Sequence, residues 1–220
     1  MADANALTYL ALQNAVLGRR FPAASQQANS KRWLATAYQD VWSAADWTFK
    51  RVSRATFAVV SGNNQPTMPA TFGDAIELFD NSGARLLRLA EEDFERAYAD
   101  SIVTGTTGVP VAYMVVNRQI HLAPIPSVTA NFALSYTRRV SCRDTALAVK
   151  AGVMSVDTDY PLWDDHHSVL IPRAATIGLI ELNDPTSDAA QAEYERQLAR
   201  MREDYEHTLP QTQWGAVAWA

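Results

Sequence analysis

Apolar residues recur at helical spacing in four parts of the chain, two near its start and two near its end. From Leu7 to Leu17 they form one stripe of a short helix that Gly18 can terminate, and from about Ser25 to Phe49 they form the aromatic face of a long amphipathic helix. From about Asp164 to Leu182 the pattern is apolar almost all round in its second half, which predicts a helix at the centre of the core. A fourth helix is predicted after Ser187. Its apolar stripe consists of Tyr194, Leu198, Met201 and Tyr205.

Pro172 lies inside the third of these helices, where its missing N–H removes the hydrogen bond to the carbonyl of Ser168. We therefore expect either a kink at this point or a short first helix followed by a longer second one. The polar segment 183–187 then separates the third helix from the last, with Thr186 or Ser187 as the cap of the last helix.

Between Arg51 and Thr137 the pattern changes to that of short strands. Apolar segments alternate partly with polar residues and are separated by turn-forming residues, among them 81–83 and 117–118. The acidic segment 91–98 is typical of a short helix, because carboxylates in the first turn interact favourably with the helix dipole. This part of the sequence predicts a small antiparallel β region that includes one helix.

The order of these elements predicts an α+β fold, namely an antiparallel bundle of about four helices with a small antiparallel β region inserted and an extended C-terminal tail. The predicted boundaries are 1–50 for the N-terminal helices of the bundle, 51–140 for the β-rich insertion, 141–206 for the C-terminal helices and 207–220 for the tail. No internal repeat of fixed period interrupts this order.

Composition excludes several classes of protein. Of the 220 residues, 48% are hydrophobic and 20% are charged, which is ordinary for a globular protein and unlike a collagen-like or disordered chain. The formal net charge of −5 argues against a surface that holds nucleic acid through its phosphates. The single Cys142 can form no intramolecular disulfide. No apolar stretch reaches the length of a membrane span and the first residues lack a signal-peptide pattern, so we expect no membrane association.

The densest group of potential metal ligands is the run Asp164, Asp165, His166 and His167. Adjacent residues on a helix point about 100° apart, so the two histidines cannot share a metal as histidines at i and i+4 can. We expect Asp164 and Asp165 to cap a helix start and one of the two histidines to pack under the β region. The sequence thus predicts no catalytic residue, no metal site and no cofactor.

Aromatic residues carry a stronger signal at the C-terminal end. The segment after His207 contains the apolar residues Leu209, Trp214, Val217 and Trp219. Two exposed tryptophans would favour non-specific association, so the segment either folds back or docks on a partner, for which tryptophan is a preferred anchor. Trp33, Trp42 and Trp47 lie at helical spacing, which indicates packing in the core or between subunits.

The order of several short motifs resembles that of the head-to-tail adaptor (connector or neck) proteins of tailed bacteriophages. The motifs are 46–49 (DWTF), 68–72 (MPATF), 109–113 (VPVAY), 120–126 (IHLAPIP), 134–139 (LSYTRR) and 160–163 (YPLW). The closing helix matches as well, and the resemblance covers roughly residues 7–206.

This resemblance implies a structural virion protein, made in the host cytoplasm, that forms a ring of usually twelve copies under the portal. The ring would join the portal to the tail and continue the DNA channel used in genome ejection. Its partners would be the portal protein, tail or further neck proteins and copies of itself, with the C-terminal tail reaching the portal. Double-stranded DNA would pass through without specific binding, in keeping with the acidic charge balance.

Two other functions stay open at this point. One is a metal-dependent hydrolase around Asp164, His166 and His167, and the other is a receptor-binding or carbohydrate-binding module that uses the loops of the β region.

Overall fold

The computed structural model describes residues 7–18, 21, 23–144, 146, 148–163 and 165–206. The chain divides into two compact units. One, called the helical unit below, comprises Met1–Thr48, Arg143–Leu147 and Val153–Ala220, and the other, the β unit, comprises Phe49–Cys142 and Ala148–Gly152. Among the residues described, no helix is both long and apolar enough to cross a membrane.

The described residues form five α-helices and two short 3₁₀ helices. The α-helices are α1 (Tyr9–Leu17), α2 (Ala23–Ser43), α3 (Glu91–Val103), α4 (Leu170–Glu181) and α5 (Ser187–Glu206). The 3₁₀ helices are Thr48–Lys50 and His167–Val169.

Helix α4 is the centre of the helical unit. It packs against α1, α2 and α5, and none of its residues from Leu170 to Leu179 is exposed. This agrees with the prediction of an apolar helix surrounded by others, because a helix with no polar face is stable in water only when neighbours cover all of its sides.

The prediction of an antiparallel bundle of about four helices is wrong. About 40% of the part of the chain that the structure describes is helix and 27% is strand, and a four-helix bundle is not evident there. Helix α3 belongs to the β unit. The other four helices range from 9 to 21 residues in length, and α1, α2 and α5 pack against α4. Helical periodicity shows which face of a helix is buried but not which element covers that face. The bundle was therefore predicted wrongly, although the helices themselves were found.

Helix α2 ends at Ser43, earlier than the predicted end near Phe49. The indole Nε1–H of Trp47 donates a hydrogen bond of 2.7 Å to the carbonyl of Val41, which another helical turn would have used. The chain therefore leaves the helix and turns back on its last turn, and Trp47 becomes buried.

Pro172 lies in the first turn of α4, directly after the 3₁₀ helix His167–Val169. In a first turn the missing N–H breaks no helical hydrogen bond. Of the two predicted outcomes, the short helix followed by a longer one is confirmed.

Helices α2 and α4 approach closely at Gly178. A Cβ atom on this residue would lie 2.9 Å from ring carbons of both Phe21 and Trp33, a distance that real Cβ contacts do not show. The Trp33 indole Nε1–H donates a 2.7 Å hydrogen bond to Glu181 at the end of α4. The glycine thus leaves the space that a large, buried and hydrogen-bonded ring occupies.

A polar cluster centred on Arg173 of α4 links three helices. Its Nε donates to a carboxylate oxygen of Asp40 on α2 at 2.8 Å, and its Nη1 donates to Gln191 on α5 at 3.0 Å. The guanidinium carbon lies 5.3 Å from the centre of the Tyr194 ring. Arg173 and Asp40 are partly buried, so water screens this pair less than it screens a surface pair.

The strands are short and number ten within the described residues. In chain order they are β1 (Arg51–Val59), β2 (Phe72–Phe79), β3 (Leu87–Arg88), β4 (Thr107–Gly108), β5 (Ala112–Val116), β6 (Gln119–Ala123), β7 (Ile125–Pro126), β8 (Ala130–Arg138), β9 (Ser141–Arg143) and β10 (Val149–Ala151).

The β unit has three layers. The first is an antiparallel sheet with strand order β1-β8-β2, called the main sheet below, and the second contains the β5–β6 hairpin. Alternate residues of β5 face opposite sides, so that Tyr113 joins the core against the main sheet while Met114 joins Phe94 of α3. Helix α3 therefore forms the third layer, on the side of the hairpin that faces away from the main sheet.

The β unit differs from the predicted small antiparallel insertion. It is not wholly antiparallel, because it includes two short parallel pairs, β3 with β5 and β4 with β7. Parallel pairs join segments far apart in sequence, and local alternation of residues does not reveal them. The predicted turns at 81–83 and 117–118 are confirmed, with positive φ angles at Gly83, Asn117 and Arg118.

We predict that Gly178→Ala destabilises the helical unit. Overpacking against two aromatic rings costs about 1–3 kcal/mol, and the better helix propensity of alanine offsets at most about 1 kcal/mol of it. Urea unfolding followed by circular dichroism measures the change. The control is Gly18→Ala, because Gly18 has a φ of −65° and the nearest atom to its added Cβ would lie 3.4 Å away. We expect this variant to lose much less stability than Gly178→Ala. Equal stability of Gly178→Ala and Gly18→Ala would contradict the close approach at Gly178.

We also predict that Arg173→Ala lowers the free energy of unfolding by about 2 kcal/mol, because it leaves the partly buried Asp40 without its ionic partner. The matched variant is Arg32→Ala, which removes a more exposed 2.7 Å ion pair with Glu181 and is expected to cost less than about 1 kcal/mol. Denaturant unfolding of both variants tests the difference, and the reverse order would show that the Arg173 cluster does not link the helices.

Candidate docking surfaces

Trp33, Trp42 and Trp47, which were predicted to pack in the core or between subunits, are buried inside a single chain with 1%, 7% and 1% of their surface exposed. Trp42 stacks on Tyr38 with ring centres 6.2 Å apart, and Trp47 meets the Tyr205 ring edge to face at 6.3 Å. Each side chain thus fixes α2 within its own unit. Packing between subunits stays a prediction for these three residues.

The residues predicted to bind the portal lie outside the described residues. They are Leu209, Trp214, Val217 and Trp219. Four of the six tryptophans in the sequence are buried in the helical unit, and the other two belong to this tail, where 207–220 contains no Asp, Glu, Lys or Arg. Docking of the tail stays a prediction that rests on this composition.

His166 and its acidic neighbours were the candidate metal ligands. Asp164 lies outside the described residues, and Asp165 is exposed. His166 has a left-handed backbone (φ 61°), and its Nε2 lies 2.5 Å from a carboxylate oxygen of Asp204 on α5. The His166 side chain therefore contacts the last helix, α5.

His167 is buried and engaged through both of its ring nitrogens. Its Nδ1 accepts a hydrogen bond of 2.9 Å from the backbone N–H of Leu7, and its Nε2 lies 2.6 Å from the carbonyl oxygen of Trp163. These partners assign the neutral tautomer with the proton on Nε2. Within the described residues, no group of three or more His, Cys, Asp or Glu is placed to hold a metal ion. The described partners of His166 and His167 all belong to the helical unit, so packing of a histidine under the β region stays a prediction. Nothing in the geometry of the two histidines favours the hydrolase alternative.

An open groove of about 480 Å³ runs along the helical unit between the end of α1 and the helices α4 and α5. Its lining residues are Gly18, Ala175, Leu179, Thr186, Ala189, Ala190 and Glu193. Most of these side chains are small, which leaves the space open, and Thr186 and Glu193 add polar groups to its lining.

The β unit has a depression of about 460 Å³ beside the turn that follows β2. Arg54 lies over the Phe79 ring at 5.0 Å on one side of it. On the other side, Asp80 Oδ1 accepts hydrogen bonds from the hydroxyl and N–H of Ser82 and the N–H of Ala84, at 2.7 to 2.8 Å. These bonds, that of the Ser82 hydroxyl first, hold the pKa of Asp80 below its usual value. The Asp80 carboxylate therefore stabilises its own turn, and its lowered pKa is the opposite of what a general acid requires.

Two arginines that sequence reasoning did not single out lie at one end of the main sheet. Arg118 occupies the predicted turn between β5 and β6, and Arg139 follows β8. Both line two neighbouring depressions of the surface. The turn that contains Arg118 could be predicted from the sequence. The position of Arg139 close to Arg118 depends on strand pairing, which the sequence pattern does not reveal.

No curated protein matches the chain. A family model described as the SU10 adaptor protein matches residues 7–216, which include the whole β unit and most of the helical unit. This match confirms the resemblance that the order of the short motifs indicated. The chain therefore belongs to the SU10 adaptor protein family, a family of phage head-to-tail adaptors.

Proposed function

We propose that the protein forms a ring of twelve copies that joins the portal to the tail and continues the DNA channel. The family match over residues 7–216 carries this proposal. As a member of a phage adaptor family, the protein is a structural component of the virion that contacts other head or tail proteins.

The distribution of tryptophan supports docking of the tail on the portal. The buried tryptophans fill the helical unit, so Trp214 and Trp219 are not needed to complete the core that the described residues form. Tryptophan is enriched among the residues that dominate binding energy at interfaces, and a segment without charged side chains loses little on desolvation. We assign the tail residues Leu209, Trp214, Val217 and Trp219 to the portal contact.

Three titratable residues support a structural function over a catalytic one. His166 contacts Asp204, His167 is engaged at both nitrogens, and Asp80 is held by its own turn. Groups of this kind maintain local structure, whereas general acid–base catalysis needs a group within reach of a substrate proton.

The charge balance supports a channel through which DNA passes without specific binding. The helical unit carries nine Lys and Arg against sixteen Asp and Glu, and the whole chain has a net charge of −5. Negative surfaces repel phosphate, and they leave DNA free to move during packaging and ejection.

We predict that deleting Leu209–Ala220 abolishes binding to the portal while the rest of the chain stays folded. The double variant Trp214→Ala/Trp219→Ala is expected to weaken binding by about 30-fold or more, since an interface hot spot contributes about 2 kcal/mol or more. Binding is measured by sedimentation with purified portal, and circular dichroism checks the fold.

The matched control changes two polar residues of the same tail, Gln211→Ala/Gln213→Ala, and is expected to bind within about threefold of the unmodified protein. Portal binding by the truncated chain at full affinity would refute the docking role of the tail.

We predict a twelvefold ring when the protein and its portal are mixed, because an adaptor that follows a ring-shaped portal makes equivalent contacts only if its own copies are arranged around the same axis. Native mass spectrometry gives the copy number and electron microscopy gives the symmetry. A monomeric protein bound to the portal at a single position would contradict the ring.

A further inference from the structure

Charge is distributed unevenly within the β unit. The unit carries ten Lys and Arg against eight Asp and Glu. Helix α3 contains five of those eight acids and only one of the basic residues, Arg96. The remainder of the unit therefore has nine basic residues against three acidic ones, so that an acidic helix and a basic sheet region belong to one compact body.

The three acids outside α3 are engaged locally. Asp74 forms a 2.9 Å ion pair with Arg88, and Glu77 forms a 3.5 Å ion pair with Arg85. Asp80 accepts hydrogen bonds from its own turn. None of these three carboxylates pairs with Arg118 or Arg139.

Arg118 and Arg139 form the basic rim of a groove at one end of the main sheet, called the arginine groove below. It consists of two adjoining depressions of about 340 and 420 Å³ that share these two residues. The apolar floor of the first depression consists of the accessible residues Met68, Pro69 and Ala70, while Gln65, Thr67 and Gln119 make the rest of its lining polar. Neither arginine side chain makes a hydrogen bond or an ion pair with the residues that the structure describes.

The backbone holds both arginines in fixed places. Asn117 and Arg118 have φ angles of 51° and 62°, as a tight two-residue hairpin turn requires. The N–H of Arg139 donates a 2.9 Å hydrogen bond to the carbonyl of Thr71. The backbone at the base of each side chain is thus ordered before binding, so that the entropy lost on binding is mainly that of the two side chains.

The outward side of α3 has the opposite character. Its acids are all exposed, and they are Glu91, Glu92, Asp93, Glu95 and Asp100. Arg96 pairs with Glu92 and Asp93, whereas Glu95 and Asp100 have no ion pair with a described residue. Val103, which is 85% exposed, follows Asp100 by three residues, so the helix presents an apolar group next to one of these two carboxylates.

We infer that the arginine groove receives helix α3 of a second copy of this chain. The inference rests on the proposed ring, because a closed ring is built from heterologous contacts in which one surface of each copy meets a different surface of the next. No residue of α3 lines the groove, so one copy can present its groove to one neighbour and its α3 to the other. Arg118 and Arg139 pair with Glu95 and Asp100 of the next copy, and Val103 packs on the apolar floor.

Opposite charge explains why this contact is directional. Guanidinium and carboxylate groups form strong charge-assisted hydrogen bonds, whereas groove against groove or α3 against α3 would bring like charges together. Contacts between two identical surfaces are therefore disfavoured. The contact of the arginine groove of one copy with α3 of the next, which a ring needs, is favoured.

Charge reversal and charge exchange test the inference in the full-length protein mixed with its portal. Arg118→Glu/Arg139→Glu is expected to raise the protein concentration at which half of the rings form by about tenfold or more at physiological salt. Glu95→Lys/Asp100→Lys is expected to have the same effect. Combining all four changes restores opposite charges and is expected to bring the midpoint back to within about threefold of the original.

The reversal of the two acids keeps α3 intact for physical reasons. Glu95→Lys places a cation four residues after Glu91, which is a favourable pair. Asp100→Lys faces the like charge of Arg96 four residues earlier, and the favourable position of a cation near the C-terminal end of the helix dipole offsets this repulsion. Arg54→Glu is the matched control, since it reverses an arginine of the same unit that lies outside the groove. Circular dichroism melting confirms that each variant is folded.

The outcomes separate this inference from the ring itself. If the two reversed variants form rings as well as the original protein does, the arginine groove contact is overturned and the proposed function stands. Loss of rings in the reversed variants without recovery in the fourfold variant would show that α3 is not the partner. If reversal leaves rings intact but abolishes retention of a 30-base-pair DNA duplex, the groove binds phosphate and the inference is wrong. Absence of rings in the original protein would refute the proposed function itself.

Discussion

The burial of α4 is the constraint on which the helical unit depends. A helix with no exposed residue from Leu170 to Leu179 must be covered on every side, and α1, α2 and α5 supply that cover. The polar groups of this region follow from the same requirement, because Arg173 satisfies its charge with Asp40 and Gln191 on the covering helices. The burial of one apolar helix thus determines where its neighbours lie and where the buried charge is balanced.

Much of the local structure could be predicted from the sequence, because helix faces and turns depend on residues close together in the chain. The central position of α4, the start of the last helix near Ser187 and the turn at 117–118 all follow from such patterns. The early end of α2 could not, since it depends on a hydrogen bond from the Trp47 side chain to the backbone. The covering of α4 and the parallel pairs of the β unit depend on contacts between distant segments, which periodicity does not contain.

The candidate surfaces were less predictable than the fold. The histidines at 166 and 167 attracted attention as neighbours in sequence, yet the structure gives them different partners, Asp204 for one and backbone groups for the other. Arg118 and Arg139 are far apart in sequence and line the same depressions. A net charge summed over the chain also conceals the contrast between α3 and the sheet, because charges of opposite sign cancel in the sum while they remain separated in space.

The contact of Gly178 with Phe21 and Trp33 has a consequence for how adaptor sequences can diverge. The space at this crossing is shared, since the indole fills what a side chain at 178 would otherwise occupy. An enlargement at one position is tolerated when the other becomes smaller, as cores accept substitutions that conserve total volume. Positions 21, 33 and 178 therefore behave as one steric unit, in which a larger side chain at 178 fits without strain only when both rings give way.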